Sequence, residues 1–259
     1  MGMSVLVTGG RGFIGTHLLN LLGEGDTLDI KNGSQKDIRT CNLDKEYTHI
    51  FHLAALRSAP LGEEQPEDFI STNCWGTVRL LKRYPKARFL NITSASAEKP
   101  MGVYGATKKF AEIMGSLHSN VINVRPYNVF GEGQPVESQA VVPIFIKAML
   151  EGKKPIIYGD GNQLRDFTYV GDLVHELKRI MFKEDENQEL YHCGYAKPIT
   201  ITDLVRMIYD KPVEIDYQPT RPFDVQVSKA PYPIKEYYGR TKGLKKTIAW
   251  WRNAVSVSS

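Results

Sequence analysis

The sequence predicts an α/β fold built on a parallel sheet. Short apolar runs alternate with segments of helical periodicity through most of the first half of the chain. A glycine-rich loop lies between the first apolar run and the first helical pattern. Because parallel strands need long crossover connections, which are usually helices, this alternation indicates a parallel sheet with helices packed on its faces.

Length, charge and cysteine content narrow the class of protein. The chain has 259 residues, of which 42% are hydrophobic and 24% charged, which suits one large globular domain or two joined ones. The net charge of +4 comes from scattered lysines and arginines, so we expect an anionic small molecule rather than nucleic acid as the partner. The cysteines form no CxxC pair and the histidines lack metal-ligand spacing, so neither a disulfide framework nor a metal site is expected.

No segment has the pattern of a membrane anchor or a leader. No apolar run reaches the roughly 18 residues that a membrane helix needs. The apolar residues near the start are too few for a signal peptide and precede no small-residue cleavage site. We therefore expect no membrane partner and a cytoplasmic location.

Hydrophobic periodicity places the elements of the first half. Apolar runs predict strands at 4–8, 26–30, 48–53, 87–92 and 121–124. Apolar residues at helical spacing predict helices at 15–22, 68–83 and 104–117. This order is typical of a doubly wound sheet.

The composition of the sequence changes after Pro126, where glycine and proline become frequent. Helical patterns separated by loops lie at 142–150, 170–182 and 201–209. We predict a first domain of 1–126 and 165–182. The remaining segments, 127–164 and 183–255, are predicted to form a smaller second lobe, with a frayed tail from 256 to 259.

The glycine loop predicts a dinucleotide site. Gly9 allows a tight turn, Gly12 lets the backbone approach a pyrophosphate, and Gly15 lets the helix pack closely on the strand. The free N–H groups at the helix N-terminus attract phosphates. The strand–loop–helix context favours dinucleotide binding on a Rossmann-type sheet over the alternative of a glycine-rich turn without a ligand.

The end of the second predicted strand bears on the choice of cofactor. Asp29 follows Gly15 by 14 positions. A carboxylate there accepts hydrogen bonds from ribose hydroxyls and repels a 2′-phosphate, which favours NAD over NADP. Lys31 could reverse that preference, and Asp29 could instead be a solvated turn residue.

A tyrosine and a lysine on the last predicted helix of this half indicate proton transfer. Tyr104 and Lys108 are four residues apart, so they share one helical face. A phenol has a pKa near 10, and a neighbouring cation favours its ionised form. Ser94 ends the preceding strand and could bind the same substrate oxygen. Without the dinucleotide loop, the same spacing would more often mark a solvated helix face.

Eight segments, taken in order, resemble the extended short-chain dehydrogenases/reductases of the NAD-dependent nucleotide-sugar epimerase/dehydratase family. They are TGGRGFIG at 8–15, HLAA at 52–55, NCWGT at 73–77, ITSAS at 92–96, YGATK at 104–108, RPYNVFG at 125–131, GDGNQLRDFTYVGD at 159–172 and RPFDVQVS at 221–228. The resemblance implies a Rossmann doubly wound parallel sheet, a smaller C-terminal lobe that binds the substrate, and a homodimer formed through the helices at 68–83 and 104–117.

The resemblance implies a role for each matching position. Ser94, Tyr104 and Lys108 would be catalytic, with Tyr104 taking the proton of the sugar C4 hydroxyl while a hydride passes to a tightly bound NAD. The positions that would bind the cofactor are Gly9, Gly12, Phe13, Ile14, Gly15, Asp29, Lys31, Asp37, Ile38, Leu53, Ala54, Ala55, Asn73, Tyr104, Lys108 and Pro126. The adenine contact could come from Asn42 and Leu43 instead of Asp37 and Ile38.

The nucleotide diphosphate of the substrate would lie against the second lobe, where arginines suit bidentate phosphate contact. The positions that would bind it and the sugar are Ser96, Asn128, Arg165, Arg221, Asp224 and Ser228. The small Ser228 would leave room for an N-acetyl group, so both UDP-hexoses and UDP-N-acetylhexosamines are expected substrates.

The residues after Ser94 favour a 4-epimerase. Sugar 4,6-dehydratases of the family place an Asp–Glu pair there, which serves as acid and base. This chain has Ala95 and Ser96 instead. A dehydratase or keto-reductase remains the alternative enzyme, and a non-catalytic dinucleotide sensor the alternative outside enzymes.

Two segments are shorter than is usual in the family. His52 follows Asp37 by only 15 positions, and Tyr104 follows Ser94 by only ten. A trimmed loop before Tyr104 would still let the two hydroxyls meet, because one ends a strand and the other opens a helix. We expect it to leave the sugar pocket more open.

Overall fold

A six-stranded sheet forms the centre of the computed structural model, which describes residues 2–33, 36–183, 188–209, 211–221 and 224–256. The strands are β1 (Val5–Thr8), β2 (Asp26–Leu28), β3 (His49–His52), β4 (Arg88–Ile92), β5 (Val121–Pro126), β6 (Val129–Phe130), β7 (Ile156–Tyr158), β8 (Leu164–Arg165), β9 (Thr168–Tyr169), β10 (Leu190–Cys193), β11 (Ile199–Thr200), β12 (Asp216–Gln218) and β13 (Val227–Ser228). The α-helices are α1 (Phe13–Leu22), α2 (Ala59–Glu64), α3 (Pro66–Phe69), α4 (Gly76–Arg83), α5 (Gly102–Ser116), α6 (Val141–Leu150), α7 (Val170–Phe182), α8 (Ile201–Ile208) and α9 (Arg240–Ser256).

The central sheet has the order β10-β5-β4-β3-β1-β2. Strands β1 to β5 are parallel to their neighbours. The chain passes from β1 to β2 on one side and then crosses to β3 on the other side of β1, so the winding reverses there. The carboxyl ends of β1 and β3 therefore flank the crevice in which doubly wound sheets bind ligands. The predicted α/β doubly wound fold is confirmed.

Burial explains why these short apolar runs become strands. All four residues of β1 are buried, and so are the last four of β4. Leu6, Ile50 and Phe89, from three adjacent strands, share one core cluster with Leu80 of α4. Each such side chain stabilises the fold by about 1.5–3 kcal/mol when fully buried. Helices on both faces leave the strands without a polar side, which is why their sequences do not alternate.

The single helix predicted at 68–83 is interrupted. Its middle, Ile70–Trp75, has π-helical hydrogen bonding between α3 and α4. Asn73 lies in this stretch and is buried, with its amide bonded to the backbone of Leu56 and to Thr107. A wider turn is typical of such functional positions, and periodicity alone does not distinguish it from α-helix.

Two compact units make up the chain. The first is Met1–Pro126 with Val174–His192, and the second is Tyr127–Leu173 with Cys193–Ser259. This division differs from the predicted one in two segments, 165–173 and 183–192. The first of them belongs to the second unit because β8 and β9 pair with β13, β11 and β6. The other contains β10, which extends the central sheet beside β5.

The second unit contains a long helix that the sequence analysis did not predict. Helix α9 spans Arg240–Ser256, so Ser256 is helical, while 257–259 lie outside the described residues. It buries only a narrow stripe that includes Gly243, Leu244 and Thr247. A Cβ at Gly243 would lie 2.4 Å from the ring of Tyr169, so glycine is needed for close packing. A helix-interior glycine and a narrow apolar stripe both weaken the helical signal.

No helix within the described ranges combines the length and the apolar content that crossing a membrane requires.

Candidate active site

The glycine loop closes tightly at the carboxyl end of β1. Gly9 has a φ of +68°, and a Cβ there would lie 2.7 Å from the backbone nitrogen of Ala54. A Cβ at Gly15 would lie 2.2 Å from the carbonyl oxygen of Gly9. Gly12 caps α1 and donates its N–H to the same carbonyl at 2.9 Å. Side chains are thus excluded where a pyrophosphate needs backbone contact.

The first turn of α1 opens onto this loop. The backbone N–H groups of Phe13, Ile14 and Gly15 have no acceptor within the helix, as in every helical first turn. Thr16 is the first residue whose N–H bonds back into the loop, to the carbonyl of Gly12 at 3.0 Å. The three preceding donors suit phosphate oxygens, so this part of the structure fits a dinucleotide.

Asp29 is fixed at the end of β2 by backbone donors. Its carboxylate accepts hydrogen bonds from the N–H of Arg11 at 2.8 Å and from that of Lys31 at 2.9 Å. The ammonium of Lys31 donates to the carbonyl of Arg11 at 3.1 Å. Each oxygen of Asp29 retains a lone pair, so the oriented carboxylate can still accept from ribose hydroxyls.

The two predicted adenine contacts are engaged elsewhere through their side chains. Asp37 forms an ion pair with Arg39 at 2.7 Å, and this hydrogen bonding lowers the pKa of Asp37. The side chain of Ile38 is buried in the core cluster, and its carbonyl accepts from Arg79 at 2.9 Å. Any cofactor contact of Ile38 would therefore use its backbone. The alternative residue Asn42 is exposed.

A directional chain of hydrogen bonds lies behind the HLAA segment. Thr77 donates to the carbonyl of Asn73 at 2.7 Å, so it must accept from Nε2–H of His52 at 2.9 Å. Nδ1 of His52 then accepts from Thr8 at 2.7 Å, and Thr8 accepts the N–H of Ala54 at 3.2 Å. Burial lowers the pKa of His52 to about 3, so the ring stays neutral. The chain fixes the backbone of Ala54 relative to β1.

Asn73 braces this segment from the other side. Its carbonyl oxygen accepts the N–H of Leu56 at 2.8 Å, and its amide donates to the carbonyl of Leu56 at 3.0 Å and to Thr107 at 3.1 Å. The polar atoms of the Asn73 side chain are all hydrogen-bonded and the residue is 1% exposed, so its role in lining the cofactor stays a prediction. The residue holds the loop that begins with the half-buried Leu53, Ala54 and Ala55.

The three predicted catalytic residues meet at the carboxyl end of β4. Ser94 follows that strand and accepts the N–H of Ser96 at 3.1 Å. Tyr104, in the first turn of α5, lies near Ser94, whose hydroxyl lowers the pKa of the phenol. Lys108, one turn later, donates to the carbonyl of Ile92 at 2.9 Å. The structure thus brings together the hydroxyls and the ammonium that the spacing predicted.

Burial and neighbouring charges set the protonation of this group. Burial raises the pKa of Tyr104 overall, and the neighbouring Ser94 hydroxyl and the positive charge of Arg57 offset only part of this increase. Burial lowers the pKa of Lys108 to about 8. The sequence analysis did not identify Arg57 as a residue of this site. Its position directly after HLAA and Leu56 was the signal that could have indicated it. A second cation near the phenol favours proton removal from it.

The short connection between Ser94 and Tyr104 is anchored at both ends. It contains one 3₁₀ turn, Ala95–Ala97. Glu63 of α2 accepts the N–H of Val103 at 2.7 Å and so caps the first turn of α5. A Cβ at Gly105 would lie 3.0 Å from the carbonyl of Ser96, so the connection packs directly on the helix. The trimmed loop therefore keeps the two hydroxyls together.

A buried ion pair holds the other side of α5. Glu112 binds Arg125 of β5 at 2.6 Å and Lys109 at 2.7 Å, and it accepts from Thr93 at 3.4 Å. Burial raises the pKa of Glu112, but the hydrogen bonds with Arg125 and Lys109 outweigh it and lower the pKa overall. The pair ties the helix that carries Tyr104 to β5, which ends at the half-buried Pro126.

The predicted substrate residues of the second unit cluster around β8 and β13. Arg165 forms an ion pair with Asp224, and Ser228 is the neighbour of Arg165 in the parallel register. Asn128, with a φ of +35°, donates to the carbonyl of Asp166 at 3.1 Å and to Ser228 at 3.5 Å. The structure thus places four of the predicted side chains in one cluster; Ser96 belongs to the first unit.

A cavity of about 230 Å³ lies beside this cluster. Arg221 stacks on the ring of Tyr158, with 3.7 Å between the guanidinium carbon and the ring centroid. Tyr158, Gln163 and Asp224 line the cavity. Gln163 donates to the carbonyl of Tyr158 at 2.7 Å, while its buried Oε1 has no hydrogen-bond partner among the residues that the structure describes. Tyr158 and Gln163 were missed in the sequence analysis, because neither belongs to a recognisable chemical pattern.

The described ranges contain no group of three or more His, Cys, Asp or Glu side chains arranged to hold a metal ion.

Comparison with protein families decides the relationship. The model of the NAD dependent epimerase/dehydratase family matches residues 5–194. The chain belongs to this family. Its cofactor is therefore NAD, in agreement with the glycine loop and Asp29.

Similar members of the NAD-dependent epimerase/dehydratase family differ in their reactions. A putative UDP-glucose 4-epimerase of Methanocaldococcus jannaschii is 28% identical over 96% of this chain and 98% of its own length. A UDP-N-acetyl-α-D-glucosaminuronate decarboxylase of Bacillus cytotoxicus is 28% identical over 95% of this chain and 97% of its own. A similar solved structure is that of a UDP-N-acetylglucosamine 4-epimerase from Methanobrevibacter ruminantium in complex with UDP-N-acetylmuramic acid. It aligns with a TM-score of 0.83 and 26% sequence identity, over 97% of this chain and 99% of its own.

Proposed function

We propose that the protein is an NAD-dependent UDP-sugar 4-epimerase that inverts C4 of a UDP-hexose or UDP-N-acetylhexosamine through a transient 4-keto sugar. The observation that carries the proposal is the meeting of Ser94, Tyr104 and Lys108 beside a dinucleotide loop. Ala95 and Ser96 stand where dehydratases of the family have an acid and a base. This site can therefore move one proton at one oxygen, and positions 95 and 96 do not supply the acid and base that elimination would need.

Tyr104 carries the proton transfer in this proposal. Its phenol removes the proton of the C4 hydroxyl and later returns it, while Ser94 hydrogen-bonds the same oxygen. Reversible hydride transfer at C4 and a positive charge beside the phenol would be supplied by bound NAD. Lys108 and Arg57 contribute further positive charge, and lowering a phenol pKa from 10 to 7 takes about 4 kcal/mol of such stabilisation.

The first unit would retain NAD between turnovers. The loop of Gly9, Gly12 and Gly15 with the first turn of α1 would hold the pyrophosphate, and Asp29 would hold the adenosine ribose. The ammonium of Lys31 is bonded to the loop at Arg11, which supports the preference for NAD without a 2′-phosphate. Tight retention suits an epimerase, because the cofactor ends each turnover in its starting oxidation state.

The second unit would bind the UDP moiety. Arg165, oriented by its ion pair with Asp224, and Arg221 would contact the diphosphate. The free Oε1 of Gln163 would accept the imide N–H of uracil, and the ring of Tyr158 would stack on the base. Asn128 and the small Ser228 would face the sugar, leaving space for an N-acetyl group.

The test supplies UDP-glucose and UDP-N-acetylglucosamine separately to protein purified with its cofactor, without added NAD. Proton NMR is expected to show the C4 epimer of at least one of them. Tyr104→Phe is expected to lower the rate at least about 100-fold while leaving the bound NAD content unchanged. The absence of a C4 epimer from either substrate with cofactor-loaded protein would falsify the proposal.

The second candidate function is another reaction that begins with oxidation at C4. The similarity to the Bacillus cytotoxicus decarboxylase favours it, since loss of CO₂ can follow the same ketone. The same NMR assay with UDP-glucuronic acid would then yield a pentose product. A 4-keto-6-deoxy product from UDP-glucose would indicate a dehydratase. Consumption of added NADH in the presence of a 4-keto sugar would indicate a keto-reductase.

We also propose a homodimer formed through α4 and α5. Large apolar side chains are exposed on and beside these helices, with Trp75 64% and Leu117 71% exposed. The others in the same region are Ile70, Phe110 and Ile113. An exposed apolar patch of this kind is typical of a protein interface.

A further inference from the structure

A second concave site lies within the unit formed by Tyr127–Leu173 and Cys193–Ser259, where α9 begins. It is a pocket of about 520 Å³, lined by Lys197, Glu236, Tyr238, Arg240, Lys242 and Lys245 among others. None of these residues lines the cavity beside Asp224. None belongs to the residues to which the proposed function assigns a role, so the pocket is separate from that site.

Positive charge dominates this pocket. Four of its side chains are cationic and one, Glu236, is a carboxylate. Glu236 pairs with Lys197 at 2.7 Å, and Arg240 is held by Asp166 at 3.5 Å. Lys242 and Lys245 have no carboxylate partner in the part of the chain that the structure describes. Like charges gathered in a concave surface repel one another unless an anion binds between them.

The wall of the pocket is preorganised. The buried carboxylate of Asp172 accepts the backbone N–H groups of Tyr237 at 3.0 Å, Tyr238 at 2.8 Å and Gly239 at 2.9 Å. The ring of Tyr238 packs edge-on against Tyr169, with 5.5 Å between the centroids. This bracing fixes the residues that precede Arg240 and Lys242, so an anion would meet cations whose backbone is already in place.

Tyr238 adds an aromatic surface to the cationic one. The Lys242 ammonium lies 5.5 Å from its ring centroid, and that of Lys246 lies 4.7 Å away. The ring is half-buried and lines the pocket. A flat aromatic surface next to ammonium groups can stack on a base while the ammoniums bind phosphates.

We propose that this pocket binds an oligophosphate anion, the group shared by inorganic polyphosphate and nucleoside triphosphates. A single phosphate would leave most of a 520 Å³ pocket empty. A chain of phosphates reaches several of the pocket's cations, and lysine ammoniums bind phosphate well as point charges. The pocket size also lies in the range of small-molecule sites.

The test measures binding of inorganic tripolyphosphate and of ATP to the full chain by titration calorimetry. Lys242→Glu/Lys245→Glu is expected to weaken the binding of both at least about tenfold. Lys86→Glu/Lys211→Glu, which reverses two exposed lysines outside the pocket, is expected to leave both affinities unchanged. If the charge-reversed variant does not fold by circular dichroism, Lys242→Gln/Lys245→Gln takes its place.

The two ligands distinguish the source of the anion. Equal affinities would assign the site to the phosphate chain itself. Tighter binding of ATP, lost in Tyr238→Leu, would assign it to a nucleotide. The proposal is overturned if neither ligand binds the wild-type protein, or if the control variant weakens binding as much as the pocket variant. The epimerase assay without added phosphate is expected to be unchanged in the pocket variant, so the two proposals fail independently.

Discussion

Burial acts against the charged form of Lys108. Lys108 is 7% exposed, and its ammonium donates a hydrogen bond to a neutral carbonyl, that of Ile92, instead of a carboxylate. Burial lowers its pKa from 10.5 to about 8. The charge that the proposed mechanism assigns to Lys108 thus destabilises the fold, a trade-off that is common for catalytic groups.

This penalty predicts an unusual pH dependence of stability. The folded pKa lies below the unfolded one, so between pH 8 and 10.5 the unfolded chain binds more protons and stability rises with pH. Lys108→Met removes the buried ammonium. We expect the variant to exceed the wild type in unfolding free energy by up to about 3 kcal/mol at pH 7, and by progressively less as the pH approaches 10.5.

Urea denaturation of both proteins across this pH range provides the measurement. Lys86→Met, at an exposed position, serves as the control and should show no pH-dependent difference from the wild type. A difference between Lys108→Met and the wild type that stays constant with pH would contradict the interpretation.

At the scale of elements, α5 is positioned by contacts at its first turn and near its middle. Glu63 caps its first turn, and Glu112 ties its middle to β5 through Arg125. Asn91 of β4 donates to the carbonyl of Ala111 at 3.0 Å. The position of Tyr104 relative to Ser94 therefore depends on α2, β4 and β5 as much as on α5 itself.

Gly105 tests whether the short connection before α5 controls catalysis. In Gly105→Ala the new Cβ would lie 3.0 Å from the carbonyl of Ser96 and 3.1 Å from Cα of Pro100. Both neighbours are backbone atoms, so we expect a loss of about 1–3 kcal/mol in stability from overpacking, although alanine is the better helix former. We also expect a lower kcat, since the connection carrying Ser96 must shift away from Tyr104.

Thermal denaturation and epimerase kinetics measure the two effects. Ala106→Ser, at the exposed neighbouring position, is the control and should stay within about 0.5 kcal/mol of the wild type. A stabilised Gly105→Ala protein with unchanged kcat would show that the connection yields freely and does not position Ser94.

At the scale of the whole molecule, the exposed apolar side chains around α4 and α5 predict self-association. Trp75→Lys/Ile113→Lys places two charges in this patch, and we expect a dimer to become a monomer, because a charge buried in an apolar interface is strongly unfavourable. Sedimentation equilibrium gives the molar mass of each protein.

Trp250→Lys supplies the matched control for the dimer. Trp250 is also an exposed tryptophan but belongs to α9, outside the patch, so this variant is expected to stay dimeric. A monomeric wild-type protein would argue against α4 and α5 as the interface. So would a Trp250→Lys variant that dissociates as fully as the patch variant does.

Local sequence patterns were enough to predict the parallel sheet, the glycine loop and the spacing of Tyr104 and Lys108. Gly9, Gly12 and Gly15 are required by backbone geometry within a few residues of one another, and Tyr104 and Lys108 share a face because of helix periodicity. Strands β1, β3 and β4 each contain two or three consecutive apolar residues, which predict buried strands without knowledge of their neighbours. The α/β class and the dinucleotide loop followed from these features.

Only the tertiary structure decided how distant residues are used. The sequence did not show that Asn73 braces Leu56, that Arg165 pairs with Asp224, that Arg57 lies near Tyr104, or that 165–173 belong to the second unit. The basic pocket beside α9 was missed for the same reason. Each of these depends on contacts between segments far apart in the chain, which neither periodicity nor local motif spacing encodes.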